Sequence, residues 1–276
     1  MLDRPTLLDG AMGTALIARG LPQGALPEEW LLSRPEEIRA VHAAHASAGA
    51  EILLTSTFNC AAPRLEARLD PSRVEDLCAR AAALARTAAR PGGLVAGAVG
   101  PTGLHAPGAS SYAGLAARYR RPLAALAASG VDLLWIESQW DLREALAALE
   151  AARPLGIPVV VTFGFPAAGE SFRAPGGAKA EACLDAVAAE GAAGTGVNCV
   201  APGAALTALV SWAAERLRVP FVAKPSPGLP GAVLDPEAFA AALAPAFAAG
   251  LRIAGGCCGA TADHLRALGV LLSRAA

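Results

Sequence analysis

The chain has 276 residues, of which 54% are hydrophobic, 17% charged and 5% aromatic, and its formal net charge is −1. That length buries a large core, as one barrel or as two average domains, while 23 Lys+Arg set against 24 Asp+Glu provide no basic field for nucleic acid or an anionic membrane. The mean hydropathy of +0.42 raises the question of a membrane span, yet the best stretch, 238–251, contains Pro245 and falls short of the roughly 18 apolar residues required.

In chain order, short apolar, β-branched runs recur at 7–8, 51–55, 94–99, 132–136, 158–162, 194–197, 220–223 and 251–254. Each reads as a buried parallel strand. Between them, Ala/Leu/Arg/Glu segments with helical spacing cover about 35–49, 71–90, 113–129, 141–152, 178–190, 203–217, 236–248 and 261–274. Asp70-Pro71, Asp235-Pro236 and Thr261 through Asp263 supply N-caps, a first-turn proline or a first-turn acid. Eight strand–helix units predict an α/β fold, a (β/α)8 TIM barrel occupying 1–276 as one domain. The alternative is an open doubly wound sheet, which announces itself with G-x-G-x-x-G after the first strand. Here that turn reads Asp9-Gly-Ala-Met-Gly-Thr14, a poor fit.

In such a barrel, chemistry collects where strands end at their carboxyl termini. The ends carry Asp9-Gly10, Thr55 through Cys60, Gly100 through Gly103, Glu137-Ser138, Thr162 through Phe165, Asn198-Cys199, Lys224-Pro225 and Gly255 through Gly259. Closing the barrel brings Cys199, Cys257 and Cys258 over one mouth, and three soft ligands suit zinc with a fourth position open. The plain alternative is that a free cysteine is a small buried hydrophobe, which fits Cys78 and Cys183 inside helices. Cys60 stays undecided. A vicinal disulfide between Cys257 and Cys258 is disfavoured in a reducing compartment. That compartment is expected to be the cytoplasm, because Asp3 and Asp9 stand where a secretory signal has basic residues and then an apolar run.

His42 and His45, three apart on a helix, could face a metal, or form a solvated or helix-packing pair. His105 could touch a ligand, and His264 falls in the last helix. Lys224 could meet an anion or stand solvated in a loop. Asp9 and Glu137 have no basic neighbour in sequence, so two carboxylates at the mouth suit an ammonium; Asp9-Gly10 as a plain turn is the competing reading. Exposed N–H groups of Gly10 to Gly13 suit a carboxylate. Together these features describe an amino acid bearing a thiol.

The motifs DGAMGT (9–14), TSTFNC (55–60), GAVGPTG (97–103), IES (136–138), GVNC (196–199), KPSPGLP (224–230) and GGCCG (255–259) resemble those of the homocysteine S-methyltransferase family across nearly the whole chain. That resemblance implies Zn2+ on Cys199, Cys257 and Cys258. It implies homocysteine contacts from Asp9, Gly10 and Glu137, with Thr14, Thr57 and Asn59 nearby. Asn59 occupies the place where betaine-dependent members carry Tyr and cobalamin-dependent members Asn, which argues against betaine. Ser226 departs from the Asn common in the family after Lys/His-Pro.

The expected reaction is attack of a zinc-bound homocysteine thiolate on an activated methyl donor, forming methionine, with no general base required. S-methylmethionine, S-adenosylmethionine, or methylcobalamin on a partner protein could supply the methyl. A separate cobalamin- or folate-carrying protein is one implied partner, since a chain stopping near Ala276 leaves no room for such domains. Two other readings stand beside this one: a non-catalytic homocysteine-binding module of a methionine synthase system, and a barrel lyase or isomerase whose glycine-rich last strand end cradles phosphate.

Overall fold

The computed structural model describes residues 4–104, 110–168, 171–228 and 233–275. His105 and the 229–231 portion of the loop after Lys224 lie outside them. The chain opens with β1 (Thr6–Leu7), α1 (Met12–Ile17), α2 (Pro27–Ser33), α3 (Pro35–Ser47), β2 (Ile52–Leu54), α4 (Pro63–Glu66), α5 (Val74–Ala88) and β3 (Leu94–Val99). It continues through α6 (Tyr112–Ala128), β4 (Leu133–Gln139), α7 (Leu142–Ala152), β5 (Val159–Phe163), a small antiparallel pair β6 (Ala167–Ala168) and β7 (Ser171–Phe172), and α8 (Ala180–Ala189). It closes with β8 (Gly194–Asn198), α9 (Ala204–Arg216), β9 (Phe221–Lys224), α10 (Pro236–Ala248), β10 (Ile253–Ala254) and α11 (Ala262–Ala275).

Eight parallel strands pair in the order β1-β10-β9-β8-β5-β4-β3-β2. The ring is completed by a parallel bridge between Leu8 and Ile52, with Glu51 N donating to Leu7 O (2.7 Å) and Asp9 N to Ile52 O (3.1 Å). This is the (β/α)8 barrel expected from the alternation. Every expected strand and helix is present, with ends shifted by a few residues. The short helices α1, α2 and α4 and the β6–β7 pair are additions, all in segments too brief or too Gly/Pro-rich to show a period.

Local chemistry explains the helix starts. Asp70 accepts from Ser72 N at the turn that leads into α5, and Asp235 accepts from Ala238 N at the start of α10. Thr261 acts through its hydroxyl, which pairs with His264 Nδ1 at 2.8 Å.

Strand alternation sorts the side chains into two cores. Leu8, Ile52, Leu54, Ala96, Ala98, Leu133, Trp135, Val160, Val222 and Ile253 fill the barrel interior. Their strand neighbours, such as Leu134, Ile136, Val161, Val197 and Ala223, pack outward against the helices. Trp135 is fully buried and donates Nε1–H to Thr162 Oγ1 at 3.2 Å, which satisfies the one polar atom of this large side chain. Gly196 lets β8 and β9 close: a Cβ at that position would run into the Val222 carbonyl. Among the described residues, no helix is long and apolar enough to cross a membrane.

Candidate functional site

At the carboxyl ends of the strands lies a cavity of about 290 Å³, walled by Asp9 through Thr14, Glu28, Ser56, Phe58, Asn59, Glu137, Ser138, Lys224 and the three cysteines 199, 257 and 258. The cysteine sulfurs all lie within 4.8 Å of one another. Cys199 and Cys257 are in disulfide contact, with Cα atoms 5.3 Å apart, and Cys258 is a free thiol. This pair, 58 positions apart in sequence, is not the vicinal Cys257–Cys258 pair that adjacency suggests.

The other cysteines are structural. Cys78 and Cys183 are fully buried in α5 and α8, and Cys60 is buried beside Cys78. Burial pushes the Cys183 thiol up to about 11, and hydrogen bonding to Cys78 together with burial raises that of Cys60, so both stay protonated and unreactive near neutral pH.

Asp9 is not the free carboxylate that its sequence neighbours imply. It is 3% exposed, and its Oδ2 accepts from Leu54 N at 2.8 Å while its Oδ1 is ion-paired with Lys224 Nζ. Lys224, 4% exposed at the end of β9, is committed to Asp9 on the cavity wall rather than solvated in a loop. The pair joins β1, β2 and β9 across the barrel. Lys224→Met is expected to cost about 3–5 kcal/mol, since it strands a buried carboxylate without its cation. Adding Asp9→Asn should recover part of that loss, and urea midpoints of the three variants measure both effects.

Glu137 remains as the uncommitted carboxylate. The ladder between β4 and β5 slips by one residue after Ile136, so that Gln139 rather than Ser138 faces Phe163. This bulge leaves Glu137 on the cavity wall and sends Gln139 outward to the Tyr119 hydroxyl. Burial raises the Glu137 carboxyl to about 7, the nearby Lys224 cation opposing the rise and Asp9 adding to it. Among the described residues its carboxylate has no hydrogen-bond donor.

Opposite stands the first turn of α1. Met12, Gly13 and Thr14 line the cavity, and first-turn N–H groups have no partner within a helix. Thr14 also ties the two ends of the chain together, its Oγ1 accepting from Gly259 N at 3.1 Å. Gly10 lies directly over His45, whose Nε2 would be 2.8 Å from a Cβ placed there. His42 and His45 are buried under this loop at 0% and 2% exposure, and desolvation lowers His42 to about 4. They are a neutral packing pair rather than a solvated one.

The loop after β2 splits its residues between wall and backing. Thr57 is fully buried behind the cavity, its hydroxyl bonded to Ala98 O at 2.7 Å and to Thr55 Oγ1 at 2.6 Å. The wall itself carries Ser56 and Asn59. Both are buried, and Ser56 Oγ and Asn59 Oδ1 have no hydrogen-bond partner among the described residues, an arrangement that leaves acceptors for a ligand to satisfy. Asn59 is oriented by Glu28, which takes its backbone N–H at 2.7 Å and its Nδ2–H at 2.8 Å. Glu28 is fully buried and desolvation raises its carboxyl.

Among the described residues, Ser138 and Cys199 are the non-glycine residues with positive φ, at 56° and 57°. Such backbone costs about 1–2 kcal/mol per residue, and one side chain spans both. Asn198 Oδ1 accepts from Ser138 N at 2.9 Å; its Nδ2 donates to Ser138 Oγ and lies 3.4 Å from Cys199 Sγ and 3.9 Å from Cys257 Sγ.

The glycine-rich end of β10 spends its N–H groups internally. Gly255 donates to Ala223 O, Gly256 to Asp9 O, Cys257 to Pro225 O and Ala260 to Cys257 O. Such a segment is no phosphate cradle, which removes the basis of the lyase or isomerase reading.

Comparison with known proteins agrees with this geometry. The chain matches the homocysteine S-methyltransferase family over residues 6–272. It is 30% identical to the methionine synthase of Mycobacterium leprae over 99% of its own length, spanning about a quarter (25%) of that longer protein. It is 35% identical to the homocysteine S-methyltransferase of Escherichia coli over 54% of this chain and 55% of that one. The metallated crystal structure of the Escherichia coli homocysteine methyltransferase MmuM superposes with a TM-score of 0.78 at 29% identity, covering 99% of this chain and 96% of that one. With the family matched along nearly its full length, the chain belongs to the homocysteine S-methyltransferases.

Proposed function

We propose that this protein transfers a methyl group to the sulfur of homocysteine, forming methionine, with zinc held by Cys199, Cys257 and Cys258. The observation that carries the reading is the convergence of these three sulfurs on the same small cavity as the uncommitted carboxylate of Glu137. The donor set fits the metal. Sulfurs on a tetrahedron of zinc–sulfur bonds stand about 3.8 Å apart, a spacing within reach of a cluster no wider than 4.8 Å once the Cys199–Cys257 contact is reduced, and three thiolates would then leave one coordination position for substrate. Zinc bound there would hold the substrate sulfur deprotonated near neutral pH.

The remaining work falls to the protein. Glu137 takes the substrate ammonium. The N–H groups of Met12 and Gly13 take its carboxylate, with Gly10 and Thr14 shaping that wall. Asp9, neutralised by Lys224, holds the strand end carrying Gly10 in place rather than contacting the ammonium alone. Asn59 and Ser56 line the cavity with buried, unsatisfied oxygens, and the donor is placed on their side. Fixing both reactants in line removes the need for a general base.

The donor is S-methylmethionine, S-adenosylmethionine, or methylcobalamin carried by a partner. The 30% identity to a methionine synthase favours a second reading, a homocysteine-binding module served by methylcobalamin on another protein or domain. One assay tests both: methionine formation from homocysteine with each donor, with and without a methylcobalamin protein. Turnover with a free sulfonium donor establishes the stand-alone transferase. Turnover only with the cobalamin protein establishes the module, and turnover with none overturns the proposal.

A further inference from the structure

We propose that Asn198 is a positioning residue for the metal site: its carboxamide donates a hydrogen bond to the Cys199 and Cys257 sulfurs and locks them to the Glu137–Ser138 turn that faces the substrate. The inference rests on the zinc reading above and concerns a residue with no ligand role in it.

The orientation of the amide is fixed by its partners. Ser138 N can only donate, so the atom 2.9 Å away from it is the amide oxygen. The amide nitrogen then faces the other way, with two protons to place. One goes to Ser138 Oγ, and the other points between Cys199 Sγ at 3.4 Å and Cys257 Sγ at 3.9 Å. Asn198 is 1% exposed, so no water competes for these bonds. A neutral sulfur is a weak acceptor, whereas a thiolate is a strong one. The bond therefore gains strength when the cysteines are deprotonated to bind a cation, and it drains charge from a site in which three thiolates outweigh one divalent ion.

The placement also explains the paired backbone strain. Ser138 and Cys199 both adopt positive φ, one near the end of β4 and the other just past β8, strands that do not neighbour each other in the sheet, since β5 lies between them. Asn198 is the side chain that spans the gap. Through it, the position of the cysteines and that of the Glu137 carboxylate are one geometric constraint, so thiol and ammonium of the same substrate meet partners at a fixed separation.

The test compares Asn198→Asp and Asn198→Ala with the wild type after exchange of zinc for cobalt(II). Asp keeps the shape and the acceptor for Ser138 N but puts an oxygen where the amide N–H faces sulfur; Ala removes everything. Loss of the donor raises the energy of the sulfur lone pairs, so both variants are expected to move the thiolate-to-cobalt charge-transfer band to lower energy. Asn198→Ala should also weaken zinc binding about tenfold or more in competition with a chelating indicator. A purely structural Asn198 would leave the Asp band at the wild-type energy, and that result overturns the proposal even if Asn198→Ala fails to fold. A wild-type protein that takes up neither zinc nor cobalt overturns the functional reading itself, a separate outcome from a metal-loaded wild type whose Asn198→Asp spectrum is unchanged.

Discussion

Changing Cys199, Cys257 or Cys258 to Ser is expected to empty the protein of zinc and to reduce methionine formation by more than about a hundredfold, the upper range seen when only an outer-shell partner of a metal ligand is lost. Serine is the informative replacement because it nearly conserves volume while exchanging a soft donor for a hard one that stays protonated near neutral pH. Two thiolates cannot hold zinc against chelators as three do, so metal content measured after dialysis should fall from one ion per chain to near zero in all three variants.

Cys78→Ser and Cys183→Ser are the controls. Both cysteines lie fully buried in helices away from the cavity, so these changes should lower the unfolding midpoint and leave metal content unchanged. The contact between Cys199 and Cys257 adds a condition on the assay: oxidation removes two of the three ligands at once, and loading must be done with reductant present. If the three serine variants keep their zinc, or still methylate homocysteine, the assignment of the site is wrong.

Homocysteine should bind more weakly as pH falls through about 7, with KM rising toward tenfold for each unit below that value. The cause is Glu137, whose carboxyl burial raises to about 7. Only the ionised form attracts an ammonium, so the proton must leave before substrate enters, and bound substrate pulls the group back toward the ordinary carboxylate range. Glu137→Gln is expected to raise KM at pH 8 by about tenfold to a hundredfold, the equivalent of one hydrogen bond to a charged group, and to flatten the dependence between pH 6 and 8.

Stability should move the other way. A carboxyl whose pKa is raised by folding contributes stability below its unfolded value near 4.5 that is lost as pH rises through about 7. The Gln variant should therefore be more stable than wild type at pH 8 and little different at pH 4. A KM that is flat with pH in the wild type, or a Gln variant destabilised at pH 8, would contradict the placement of this carboxylate.

The barrel was legible because its signal repeats: eight apolar runs and eight helical segments, punctuated by caps such as Asp235, left little freedom of topology. The cysteine cluster was legible for a related reason, since strand ends in a closed barrel share one mouth wherever they fall in sequence. What escaped was side-chain pairing over long separations. Lys224 reads as a loop residue because its partner Asp9 is 215 positions away. Glu28 and Glu29 lie in a segment with no legible period, where Glu29 caps Leu26 and pairs with Arg68 while Glu28 turns in to hold Asn59.

Thr57 illustrates a one-residue ambiguity. Next to Ser56 and ahead of Asn59, it could not be assigned to wall or backing until the loop had a conformation. The bulge in β4 is likewise invisible in Ile-Glu-Ser-Gln, although it turns Gln139 to the helices two residues after Glu137 faces the cavity.

The ring closes by pairing Thr6 with Ile253 and Leu7 with Ala254, and the cavity draws Asp9 from one end of the chain and Cys257 and Cys258 from the other. In folding terms the join between Asp9 and the cysteines is a late contact: the loop-closure entropy of nearly the whole polypeptide is paid before a ligand can be gripped across it. No fragment ending before β10 can possess the site, and a chain emerging from the ribosome acquires it only once that last strand is free to pair. Whatever then binds across the cavity stabilises the closed ring and not the open chain, so the ligand acts as a clasp between the first and last strands.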